Sequence, residues 1–124
     1  MKRLSGEQIK MMHYILIEET GGIHGIRDEN LLDSAINSPF QTFGGTYVYG
    51  TLEMKAARLC FSTIKNHPFI DGNKRIGILA MLTFLEFNGI VLDYSDDELI
   101  ALGKGVAEGT MNDSLVLDWI LERQ

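Results

Sequence analysis

His67-Pro68-Phe69-Ile70-Asp71-Gly72-Asn73-Lys74-Arg75 places a titratable base, a carboxylate, a glycine turn and two fixed cations within nine consecutive residues. An imidazole near its ordinary pKa accepts a hydroxyl proton at neutral pH. A carboxylate such as Asp71 supplies hard oxygen suited to Mg²⁺, which commonly reaches a protein through one carboxylate plus the substrate's phosphates. Asn73 is a favoured helix N-cap, so the spacing predicts a helix beginning there, with Gly72 making the turn into it. The first backbone N–H groups of a helix have no intrahelical partner, and the dipole adds partial positive charge at the same point, so an anion is welcome there. Lys74 and Arg75 would sit in that first turn, where their charge opposes the dipole. Such a local conflict points to function more than to folding. The chemistry these residues describe is the handling of a nucleotide's phosphates.

The surrounding elements must hold that string in place. Pro68 predicts the end of the preceding helix, because residues before proline avoid the helical region. Phe69 reads as a buried anchor for the loop. Ile76 to Phe87 follows as a strongly apolar stretch, apolar nearly all round as a central helix is, and Asn88-Gly89 closes it. Upstream, Ser5-Gly6-Glu7-Gln8 has capping-box spacing ahead of Ile9, Met12 and Leu16, with Gly21-Gly22 ending that helix. Leu31, Leu32, Ala35 and Ile36 form a second stripe stopped before Pro39, and Leu52, Ala56, Leu59, Cys60 and Thr63 a third that runs up to His67. Ser95-Asp96-Asp97-Glu98 predicts a further capping box, and Leu115, Trp119 and Ile120 a last helix, with Trp119 and Leu115 read as core. Between Pro39 and Gly50, the run Thr42-Phe43-Gly44-Gly45-Thr46-Tyr47-Val48-Tyr49 reads equally as a short β-hairpin or as an ordered loop with its tyrosines packed down. The expectation is an all-α fold, a single domain over residues 1–124 built around a buried central helix.

Composition narrows the function classes. The chain has 124 residues and a net charge of −6, which argues against general binding to nucleic acid, since phosphate backbones require a basic face. No segment is apolar for long enough to span a membrane. Met1-Lys2-Arg3 is followed by no apolar signal core, so a cytoplasmic protein is expected. Cys60 is the only cysteine, which excludes an internal disulfide and suits a reducing compartment. It falls on an apolar helix face and is expected in the core. His13, His24 and His67 match no compact metal-ligand spacing, so the first two read as structural or solvated. Gly72 to Arg75 lacks the spaced glycine and the Ser/Thr of a P-loop.

The string His67 to Arg75 matches every specified position of H-P-F-x-[D/E]-G-N-[G/K]-R, and so resembles the signature of the Fic/Doc (fido) family. Gly25-Ile26-Arg27-Asp28-Glu29-Asn30-Leu31-Leu32-Asp33-Ser34-Ala35 and Pro39 to Gly45 are similar to its short Doc branch, the death-on-curing toxins of toxin–antitoxin pairs. The resemblance covers most of the chain from Gly25 to Phe87. It implies a helical bundle with a flap at residues 39–50 that aligns a target segment, His67 as the catalytic base, Asp71 as the Mg²⁺ ligand, and Gly72, Asn73, Lys74 and Arg75 binding the phosphates of ATP. Adenylyl-transferring Fic proteins usually carry glycine where this chain has Lys74, and a second arginine where it has Ile78. Lysine is the Doc pattern, and implies transfer of a phosphoryl group to a Ser or Thr hydroxyl of a target protein, elongation factor Tu being the obvious candidate, with growth arrest. Adenylyl transfer by the same fold and a noncatalytic interaction module are the rival readings. Many Fic relatives also silence themselves through [S/T]-x-x-x-E-[G/N]. Here Glu108-Gly109 ends that way but Lys104 stands where Ser or Thr is needed, so a separate antitoxin with an amphipathic C-terminal segment is the implied partner.

Overall fold

The computed structural model describes all residues from Met1 to Gln124. Six helices run in the order α1 (Gly6–Thr20), α2 (Glu29–Asn37), α3 (Leu52–Asn66), α4 (Asn73–Phe87), α5 (Asp96–Glu108) and α6 (Asp113–Leu121), with a 3₁₀ turn at Ser38–Phe40. The fold is all-α with one small hairpin, as the sequence implied. Five of the six helices start on a side chain that accepts from the first turn: Ser5, Asp28, Thr51, Ser95 and Asn112. The Ser5–Gln8 pair forms the reciprocal capping box, with bonds of 3.1 and 2.7 Å. At Ser95 the exchange differs: the hydroxyl caps the Glu98 N–H and also meets one Glu98 oxygen, while Arg123 holds the other.

Helix α4 is central. Ile76, Ala80, Met81, Phe84 and Leu85 are buried in it, and it packs against α1, α3 and α5. Its neighbour α3 shares the centre, with α2 and α6 on its other sides. The stripe expected on α3 is buried at Ala56, Leu59, Cys60 and Thr63, and burial pushes the Cys60 thiol up to about 12. On α6, Val116, Trp119 and Ile120 face the core. Leu115 does not: it is 43% exposed, because the inward stripe of α6 begins one residue later.

The hairpin is present. Strands β1 (Thr42–Phe43) and β2 (Thr46–Tyr47) pair antiparallel, with Thr42 opposite Tyr47 and Phe43 opposite Thr46. Gly44 and Gly45 turn between them at φ 59° and 80°, the doubly left-handed geometry that glycine adopts without steric cost. Phe43 is 86% exposed at the tip. The base is tied down instead. Lys55, buried on α3, donates to the Tyr49 carbonyl and lies 4.1 Å from the Tyr47 ring. Arg58 bridges Ser38 and Asp113, and Tyr49 reaches Asp113 as well. Tyr49 is thus the tyrosine that packs down, and Tyr47 is not.

Close approach of α3 and α4 depends on Gly77. A methyl group there would stand 2.7 Å from Ile64 Cγ1 and 3.3 Å from the Cys60 carbonyl oxygen. Gly77→Ala should therefore lower stability by about 1–3 kcal/mol through overpacking, read as a shift in the urea midpoint at unchanged m-value.

Candidate active site

The nine-residue string starts at the C-cap of α3 and runs through the loop 67–72 into the first turn of α4. Three contacts fix the loop. Phe69 is buried to 1% exposure, and the His13 ring of α1 stacks on it at 3.8 Å and 9°. The backbone N–H of Ile70 donates to Gly25, forming an antiparallel bridge of Ile26 with Phe69. Asn73 supplies the third. Its side chain accepts from the Phe69 N–H and donates to the Phe69 carbonyl, both at 2.9 Å.

That last contact corrects the N-cap expected at Asn73. The cap is Gly72, left-handed at φ 77°, and Asn73 is the first helical residue, its amide buried and turned back into the loop. The consequence is an uncapped helix start. No side chain accepts from the first turn of α4, and no backbone acceptor meets the N–H groups of Asn73, Lys74 or Arg75. Three backbone donors, the helix dipole and two cations converge there with no acidic residue in the turn.

Asp71 lies on the approach to this start. Its carboxylate accepts from the Ile23 N–H at 3.0 Å and the Gly72 N–H at 2.8 Å, with Arg75 Nη2 at 3.7 Å. These partners, Ile23 foremost, then Gly72 and the Arg75 charge, hold its carboxyl below the ordinary range. The group is therefore ionised at neutral pH and 40% exposed. No group of three acidic, histidine or cysteine side chains is placed to hold a metal ion. The donor set fits Mg²⁺ in the mode where one protein carboxylate is completed by substrate oxygens and water, not as a protein cage.

Arg75 reaches from the first turn of α4 to the end of α1. Its guanidinium donates to Thr20 Oγ1 at 2.5 Å and the Gly21 carbonyl at 2.8 Å, so it also closes the C-terminus of α1. Lys74 is exposed and has neither hydrogen bond nor ion pair; its stem passes Gly103 of α5, where a Cβ would lie 3.5 Å from Lys74 Cβ. Gly22 permits the Asp71–Arg75 arrangement: at φ 122°, a side chain there would meet Asp71 Oδ2 at 2.6 Å. His67 is exposed at the C-cap of α3, with φ 50° and ψ 54°, and is the one non-glycine residue at positive φ. Such a conformation costs about 1–3 kcal/mol and persists only where neighbours enforce it.

The loop thus brings together His67, Asp71, Gly72, Asn73, Lys74 and Arg75, with Asn73 holding the loop through its side chain while its N–H joins the open helix start. No hydrogen bond joins the hairpin to the loop. His13, expected to be structural or solvated, is structural, and it and Arg27, which lies in the Doc-like stretch from Gly25 to Ala35, hold the loop through bonds to backbone carbonyls that sequence spacing alone does not reveal. His24 pairs with Glu18 at 2.8 Å, away from any metal cluster. The cavity of about 360 Å³ lined by Arg3, Leu4, Ser5, Gly6, Asp33, Ile36 and Asn37 shares no residue with the motif.

Six helices with α4 at their centre, and an uncapped, cationic helix start beside a histidine loop, define a Fic-type helical domain. The Fic/DOC family model matches residues 3–85, and the chain belongs to that family. It is 38% identical over 104 residues to "Toxin Doc" of Mycolicibacterium smegmatis (strain ATCC 700084 / mc(2)155), covering 82% of this chain and 74% of that one. It is 29% identical over 118 residues to "Protein kinase doc" of Escherichia phage P1, covering 95% of this chain and 92% of that one.

His13 yields a pH prediction. Its Nε2 lies 2.7 Å from the Asp71 carbonyl, which can only accept, so this nitrogen carries the proton of a neutral ring. Burial lowers its pKa in spite of that bond. The unfolded chain, with its ordinary pKa near 6.5, then binds a proton that the folded chain refuses, so stability falls as pH drops through about 6.5. Wild-type Tm should decline between about pH 7 and pH 5. His13→Gln, which keeps a donor but cannot titrate, should be less stable at pH 7 and show a shallower decline.

Proposed function

We propose that this chain is a single-domain Doc-type toxin of a toxin–antitoxin pair, acting in the cytoplasm as a protein Ser/Thr phosphotransferase. It would take a phosphoryl group from ATP and arrest growth by modifying a translation factor, elongation factor Tu being the expected target. The observation that carries this reading is the uncapped start of α4, with three unpaired N–H groups beside an ionised Asp71 and a fixed loop bearing His67. The names of the two relatives, a toxin and a protein kinase, support it.

The residues divide the work. His67 accepts the proton of the target hydroxyl, whose oxygen forms a bond to the γ-phosphorus of ATP. The bond from that phosphorus to the bridging oxygen breaks, and ADP leaves with the electron pair. The N–H groups of Asn73, Lys74 and Arg75 and the Lys74 ammonium bind the phosphate oxygens and stabilise charge that develops in transfer, with little covalent chemistry required of the protein. Asp71 would hold Mg²⁺, which neutralises phosphate charge and orients the phosphates when bound.

Position 78 favours phosphoryl over adenylyl transfer. Ile78 is buried at 9% exposure, packed towards Gly103, so this helix face offers core where the adenylyl-transferring pattern has an arginine. Regulation in trans is supported by α5, where Lys104 and Glu108 face solvent 4.0 Å apart and an inhibitory Ser or Thr is missing. An antitoxin with an amphipathic C-terminal segment would supply the restraint.

Incubation of the chain with ATP, Mg²⁺ and bacterial lysate, followed by peptide mass spectrometry, tests the reading. A phosphate-sized addition on a Ser or Thr is expected, reduced about 10²–10⁴-fold in His67→Ala as for loss of a general base. An adenylate-sized addition would transfer the case to the adenylyl reading, and equal modification by His67→Ala would remove His67 from the mechanism.

A further inference from the structure

Loop 67–72 leaves α3 through a histidine in a conformation that L-residues avoid, and one distant residue grips the chain at that point. Arg27 lies 40 positions before His67. Its Nη2 donates to the Asn66 carbonyl at 2.9 Å, its Nε to the His67 carbonyl at 2.6 Å, and its own backbone N–H to the Pro68 carbonyl at 2.7 Å. Three consecutive carbonyls are therefore held by a single residue. No carboxylate pairs with the guanidinium: the adjacent Asp28 is turned away to cap α2, accepting from Leu31 at 3.0 Å. The positive charge faces the negative end of the α3 dipole instead.

The geometry of these bonds bears on His67 specifically. The dihedrals φ and ψ of a residue are the rotations of its two flanking peptide planes about its Cα. The plane before His67 carries the Asn66 oxygen, and the plane after it carries the His67 oxygen. The guanidinium fork bonds to both. Both rotations are thereby fixed, and with them the direction in which Cβ carries the imidazole. The third bond, to Pro68, extends the grip towards the bridge of Ile26 with Phe69. We infer that Arg27 is the positioning residue of His67: it enforces the left-handed backbone that aims the imidazole, and it touches neither nucleotide nor target. The inference rests on the proposed role of His67 as the base.

A planar fork with donors at fixed separation suits this task, and an ammonium on a flexible stem does not. Lysine at position 27 would preserve the charge near the α3 terminus but not the simultaneous hold on two peptide planes. A residue that merely stabilised the fold would behave otherwise, since charge at the helix end would suffice and rate would follow the folded fraction.

Arg27→Ala and Arg27→Lys should each slow phosphoryl transfer about 10–100-fold, the scale of a misplaced catalytic group, while affinity for a non-hydrolysable ATP analogue, measured by calorimetry, stays within about twofold of wild type. Added guanidinium ion should restore part of the Arg27→Ala rate, and methylammonium should not. Wild-type transfer by Arg27→Lys overturns the inference. So does a loss of nucleotide affinity that matches the loss of rate. Should Arg27→Ala fail to fold by circular dichroism, Arg27→Lys decides the matter alone. Undiminished transfer by His67→Ala would instead defeat the reading of His67 beneath it.

Discussion

Burial of one aromatic ring organises the site. Phe69 sits in the middle of loop 67–72, its side chain in the core, its ring under His13 and both of its backbone polar groups taken by Asn73. Fully burying such a side chain stabilises by about 1.5–3 kcal/mol, and the loop cannot shift without withdrawing it. His67 and Asp71 lie two residues to either side. Fixing the ring therefore fixes the backbone on either side of it, where an imidazole and a carboxylate are carried in a segment with no helix of its own. The long-range partners of this loop come from α1, from Ile23 and from the strand-like stretch at residues 25–28, so the first 28 residues of the chain hold it in place.

Much of this was legible in the residues because it is written in local chemistry. Ser5 with Gln8, the glycines after Thr20, Pro39 and Pro68 mark ends that follow from dihedral and hydrogen-bond constraints acting over a few positions. The hairpin at Gly44-Gly45 is of the same kind. The motif from His67 to Arg75 was contiguous and so could be read as one site. What local patterns do not carry is the contact between distant positions. His13 meets the Asp71 carbonyl across 58 positions, and a histidine on a helix face looks the same whether it serves a loop or a core. Asparagine favours an N-cap, yet the Asn73 amide finds two buried backbone partners and Gly72 takes the left-handed turn. Leu115 was assigned inwards by spacing alone, and a one-residue change in phase put it in solvent.

The first turn of α4 shows a conflict between stability and affinity. Every other helix in the molecule begins with a side chain that satisfies its first donors. This one begins with two cations against the dipole and no acceptor, in a helix otherwise bound tightly into the core. The arrangement is unfavourable without an anion and favourable with one, so binding free energy at this point doubles as folding free energy. Arg75 moderates the conflict by closing the end of α1 with Thr20 and Gly21. The same guanidinium thus ties the cationic turn to the first helix of the chain.

The distribution of these groups along the chain has a consequence for biosynthesis. Every side chain named in the loop and its supports, from His13 through Arg27 to Arg75, precedes α5 and α6. Yet α3 and α4 are walled by those last two helices, through Leu102 and Val106 of α5 and Val116 and Ile120 of α6, and Arg58 is paired with Asp113. A chain emerging from the ribosome at about 5–20 residues per second carries the whole motif from His67 to Arg75 before the walls of its core have been made. Closure of the core around the motif therefore waits on the C-terminal helices, which contribute no residue to it.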